Sequence, residues 1–274
     1  MGGDAGGSAW ANLWASAWAI ALATAGLGLS SSSALAHDSW FAPAPAVGAT
    51  AGQILLGTGN RYPLLDSPIG SEFLVQQGCQ KADGQTDRLT AVSDQGTALR
   101  LQPPAGARSC WAQTRAFDLL LPPDKISVYL NEVKPTAAIR AAWSDMQARG
   151  LPWRERYVKH ARIELPGDGA APRPSPMGMD MLLAGERHPL HTGDTVSVQV
   201  LRDGQPLPEF AVEWRHDSAP IGLWSRTDAQ GRVSLRLPLA GQWLLRGVDL
   251  RLSDTQPDQF DSRFITLALT VTAP

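Results

Sequence analysis

The chain reads as a mainly β protein made of two antiparallel β-sandwich domains of immunoglobulin or transthyretin type, the first carrying a helical insertion. Three observations predict this. Short apolar–polar alternations recur at intervals of about 8 to 12 residues with turn residues between them. The cleanest alternations lie toward the C-terminus. Only the stretch 124–150 carries apolar residues at helical spacing.

Taken in order, 54–58, 72–77, 98–101 and 109–120 read as strands. Asn60-Arg61-Tyr62-Pro63, Asp83-Gly84 and Pro103-Pro104-Ala105-Gly106 separate them as turns, and Trp111 and Phe117 supply aromatic core. Ile126, Tyr129, Leu130 and Val133 then recur every three to four positions. Pro135 restarts a second helix through Ile139, Trp143 and Met146, which Gly150 and Pro152 stop. In 155–165, Tyr157, Ala161, Ile163 and Leu165 share one strand face, while His160, Arg162 and Glu164 share the other. The Pro- and Gly-rich loop 166–176 marks the expected domain boundary.

Beyond it, Val196, Val198 and Val200 alternate with polar partners, Asp203-Gly204 turns the chain, and Phe210, Val212 and Trp214 alternate again. Thr227 to Gly231 makes another turn, leading into Val233, Leu235 and Leu237. Gly241 precedes a strand from Trp243 to Leu252, and Ile265, Leu267, Leu269 and Val271 close the chain facing inward. The expected organisation is therefore 1–36 as a leader, 37–176 as the first β domain with its helical insertion at 124–150, and 181–274 as the second.

The leader is read from an apolar run from Leu13 to Leu29, Ser30 to Ser33, and Ala34-Leu35-Ala36, the small-x-small form accepted by signal peptidase. It departs from the usual pattern, because residues 1–36 hold no Lys or Arg and Asp4 is their only charge. An uncleaved membrane anchor is the competing reading. It is disfavoured by the glycines and serines that dilute the end of the run and by the lack of a basic stop-transfer cluster. Export places the protein in the periplasm, with His37 as its first residue.

Across the chain, 26 acidic residues face 24 basic ones. There is no basic excess or run, so nucleic acid is not an expected partner. Cys79 and Cys110 are the only cysteines. In an oxidising compartment they are expected to form one disulfide, closing a loop of roughly 30 residues and stabilising by roughly 3 to 4 kcal/mol. A thiolate metal pair is the weaker reading, because no C-x-x-C spacing exists.

Several strings carry a family resemblance: Ala36-His37-Asp38-Ser39-Trp40-Phe41, Arg156-Tyr157-Val158-Lys159, the stretch from Gly193 to Leu207, Thr227 to Gly231, and Gly241-Gln242-Trp243-Leu244. Together they resemble a bacterial periplasmic family described as a domain of unknown function and grouped with periplasmic components of cobalt and nickel transport. The resemblance implies a two-domain β protein of the periplasm linked to metal. Where that family commonly shows a histidine after the tryptophan strand, this chain has Asp249.

A free N-terminal histidine is a bidentate ligand through its α-amine and ring Nδ1. A further imidazole would complete a three-nitrogen site for copper, and zinc, nickel or cobalt could use the same donors. The candidates for that third position are His160, His188, His191, His216 and, at the family position, Asp249. His160 lies on a polar strand face, which also suits a solvated residue. His188 and His191 flank Pro189 in a loop, and His216 continues an apolar face as a core-edge residue would. Met177, Met179 and Met181 alternate, so on a strand their thioethers would share one face, as in Cu(I) handlers or as core filler.

Enzyme motifs are scarce: the sequence has no G-x-S-x-G, no H-E-x-x-H and no glycine-rich phosphate loop. The expected function is a non-enzymatic, exported metal-binding or metal-transport accessory built around His37, with an inner-membrane transporter or envelope protein as partner. Two readings compete with it: a metal-free β module that docks on such a protein, and a copper enzyme of the histidine-brace kind.

Overall fold

The computed structural model describes residues 37–45, 52–93 and 96–274. The leader expected at 1–36 lies outside the described residues. Among the described residues the secondary structure is mainly strand, with two α-helices, and no helix is long and apolar enough to cross a membrane.

The longest alternating segments pair at the centre. Gly241–Leu252 and Phe260–Thr272 form a long antiparallel ladder, which grows outward into a ten-stranded sheet. On one side it continues through Ala211–His216 to Leu223–Arg226 at the edge. On the other it continues through Trp153–Glu164, Ala107–Thr114 and Leu74–Lys81 to Thr86–Asp87.

Both faces of this sheet are covered, so its strands sort side chains by parity. Trp243, Leu245, Ile265, Leu267 and Leu269 pack against a four-stranded sheet that includes Met179–Leu183, Thr195–Arg202 and Arg232–Arg236. On the opposite face Leu244, Ala268, Ala161 and Ile163 meet a five-stranded sheet built on Asp38–Pro43, Ile54–Gly59 and Ala98–Gln102. The same face, farther along, receives the helices Pro123–Val133 and Ala137–Ala148 through Trp153, Val248, Leu250, Phe260 and Phe264. The helices fall where the apolar spacing placed them. A proline starts the first, and Thr136 caps the second by accepting from the Ile139 N–H.

This arrangement differs from two expectations. Trp153–Glu164 runs parallel to Phe260–Thr272, so the central sheet crosses the boundary expected at 166–176, and the described residues fall in one compact unit. Alternation marks which residues face inward but carries nothing about which distant strand lies alongside. The loop itself is stitched down: Gln80 Nε2 donates to the Ala171 carbonyl at 3.0 Å, and the Arg173 N–H donates to Gln80 Oε1 at 3.1 Å. The second difference concerns the polar face of Trp153–Glu164. His160, Arg162 and Glu164 are buried, because the four-stranded layer covers them.

Arg162 ties the layers together. Fully buried, it donates from Nε to Glu164 Oε1 at 3.0 Å and from Nη1 to Asp180 Oδ2 at 2.9 Å. Cys79 and Cys110 lie opposite one another in adjacent strands and form the expected disulfide. Replacing Arg162 with leucine leaves buried Asp180 without its cation and Glu164 with Arg187 alone, 3.0 Å from its Oε2. The expected loss is about 3 to 5 kcal/mol of unfolding free energy, measured by urea denaturation.

Candidate functional site

The string from His37 to Phe41 opens the described chain, and its residues divide by role. Trp40 and Phe41 are core side chains, each 1% exposed. Ser39 bonds through Oγ to Thr58 Oγ1 at 2.7 Å, and its carbonyl accepts from Thr266 Oγ1 at 2.7 Å. Asp38 is buried and pairs through Oδ2 with Arg246 Nε. His37 is the half-buried residue at the start, one position outside the strand Asp38–Pro43.

Beneath it lies a cluster of charges. Arg246 also donates from Nη1 to Glu213 Oε2 at 2.7 Å, and Arg215 lies 3.0 Å from the same oxygen. Asp38 Oδ1 is buried and has no hydrogen-bond partner among the described residues. Burial pushes the Lys159 ammonium down to about 8, and the Asp38 carboxylate pulls it partly back. Anions and cations nearly balance around the N-terminal strand, and the arginines hold the carboxylates in place.

The other candidate ligands do not converge on this place. His160 projects from the opposite face of the central sheet, where its Nδ1–H donates to the Phe264 carbonyl at 2.8 Å. It is 2% exposed, and burial, reinforced by the nearby Arg263 guanidinium, pushes its imidazole down to about 4. Asp249 faces the same way as His160 and is held by Arg202 and by Arg251, the latter at 3.0 Å. His216 is buried against Trp243, with Nδ1 beside Ser218 Oγ at 2.8 Å and Nε2 beside the Ala240 carbonyl at 3.0 Å.

His191 pairs alongside Thr272, about 20 Å along that strand from the Thr266 that holds Ser39, at roughly 3.3 Å per residue. His191 Nδ1 lies 3.9 Å from Asp194 Oδ2, and His188 Nδ1 lies 3.0 Å from the Pro189 carbonyl. Met177, Met179 and Met181 are all buried in the core between the central and four-stranded sheets. Among the described residues no three His, Cys, Asp or Glu side chains are grouped so as to hold a metal ion.

Residues 34–248 match the family described as "Domain of unknown function (DUF4198)". The chain belongs to this family. No curated protein matches it. The DUF4198 match takes in the His37 string, Glu213 and Arg246 and ends one residue before Asp249, inside Gly241–Leu252.

Sequence reasoning missed the Asp38–Arg246–Glu213 cluster. Glu213 and Arg246 sit at the polar positions of alternating strands, which look solvent-facing until a second layer covers them. The available signal was Asp38 itself, a charge wedged before Trp40 and Phe41.

Two measurements follow. Asp38→Ala leaves Arg246 with one carboxylate instead of two, and its expected cost is about 2 to 4 kcal/mol in chemical denaturation. His160 has a folded value of about 4 against 6.5 when free, so its contribution is complete above pH 6.5 and is lost as pH falls toward 4. The expected loss is about 3 kcal/mol. His160→Asn keeps a donor for the Phe264 carbonyl without titrating, so its stability should fall less than wild type across that window.

Proposed function

We propose that the chain is an exported periplasmic protein that binds a divalent transition metal at a processed N-terminus, as an accessory to metal transport. The observation that carries this reading is the place of His37, half-buried and one position before the strand Asp38–Pro43, with the Asp38 carboxylate as its chain neighbour and Asp38 Oδ1 lacking a hydrogen-bond partner among the described residues. The Cys79–Cys110 disulfide fits an oxidising compartment.

With the imidazoles of His160 and His216 and the carboxylate of Asp249 turned to the opposite face, the third donor we assign is oxygen rather than nitrogen. Asp38, with its unbonded Oδ1, is the adjacent candidate. Two nitrogens and a carboxylate suit zinc, nickel or cobalt(II) better than copper(I).

The test compares the chain beginning at His37 with one carrying a single extra residue before it, by calorimetric titration with zinc and nickel. The expected result is at least tenfold weaker binding by the extended form, because its histidine amine has become an amide. Equal affinity in both forms rejects an N-terminal chelate.

A second reading, a metal-free module that docks on an envelope or transporter protein, is supported by a different observation. The Leu223–Arg226 edge of the central sheet exposes large apolar side chains.

A further inference from the structure

The two ends of the ten-stranded sheet are finished differently. One ends in the two-residue strand Thr86–Asp87, with Asp87 4.0 Å from Lys81, so charge and shortness blunt that edge. The other ends in Leu223–Arg226, whose outer side has no ladder partner among the described residues. There Ile221 is 82% exposed, Leu223 52% and Trp224 37%, three large apolar residues within four positions. An apolar open edge of this kind is a template for another strand.

The surroundings specify what that strand carries. Lys134 Nζ lies 5.7 Å from the centre of the Trp224 ring. Arg226 donates to two carbonyl oxygens, that of Glu209 at 2.6 Å and that of Lys134 at 3.4 Å. Among the described residues neither Lys134 nor Arg226 has a carboxylate within ion-pair distance. Both line a cavity of about 240 Å³ together with apolar Ile139, Phe210, Val248 and Leu250 and with the charged Glu209, Asp249 and Arg251, of which Asp249 is already paired with Arg202 and Arg251. The edge thus offers backbone groups, two cations without an ion-paired carboxylate among the described residues, and a recess with apolar and charged walls large enough for a side chain.

We propose that this edge accepts an extended, acidic segment of a partner protein as an eleventh strand, its carboxylates meeting Lys134 and Arg226 and one apolar side chain entering the recess. The proposal deepens the docking reading and does not depend on metal at His37, so the metal titration and the experiment below can fail separately.

The probe is a capped eight-residue peptide of alternating valine and glutamate, added to the chain beginning at His37 in the presence of a chelator. Binding should slow hydrogen exchange at residues 221–226 and shift Trp224 fluorescence. Leu223→Asp, at a half-exposed site that leaves the core intact, should weaken it at least tenfold. So should replacing every glutamate of the peptide with lysine.

Four results overturn the proposal: no protection at 221–226, equal affinity for the lysine peptide, protection of this edge by dimerisation alone, or protection by phosphatidylglycerol vesicles and not by the peptide. The third would assign the edge to a second copy of the chain, and the fourth to a lipid surface.

Discussion

The pairing of Asp38 with Arg246 decides where the N-terminal segment can lie. A buried carboxylate is costly unless a cation and hydrogen bonds replace its water, and Arg246 meets that need while also bonding Glu213. The strand Asp38–Pro43 is therefore registered on the central sheet by charge as well as by Trp40 and Phe41. His37 comes to rest at its beginning. Any chemistry assigned to that histidine depends on this registration.

Each layer is tied to the central sheet in the same manner, by a polar group that the apolar contacts alone would not require. Arg162 reaches Asp180 in the four-stranded layer. Glu155 accepts from Tyr129 of the first helix at 2.7 Å and from Trp153 Nε1 at 2.9 Å, and burial raises its carboxyl above the ordinary range. Hydrophobic burial is non-directional, whereas such bonds are satisfied in one register only, and this selects among the ways three layers could stack. The two sheet edges remain where covering stops, one guarded by charge and one left apolar.

Much of this was legible in the sequence. The alternation through Val196, Val198 and Val200 marked a strand whose inner face is core, and the spacing of Ile126, Tyr129, Leu130 and Val133 marked the first helix. The two cysteines pointed to their disulfide. The candidate site was legible only in part. His37 could be singled out from the leader pattern, but the side chains beneath it could not, because Glu213 and Arg246 occupy positions that an uncovered sandwich would turn to solvent. His160 and Asp249 looked available for the opposite reason, since their covering layer and arginine partners come from distant segments.

Local periodicity and turn chemistry are properties of neighbouring residues, so the sequence alone determined the strand-rich class, the helical hairpin near 124–150 and the main core positions. Tertiary structure decided the rest. It set Trp153–Glu164 parallel to Phe260–Thr272, ran one sheet through a loop that reads as a domain boundary, and placed layers on both faces. Such pairings join residues about a hundred positions apart. They are chosen by the summed burial and charge matching of whole surfaces, which no window of the chain contains.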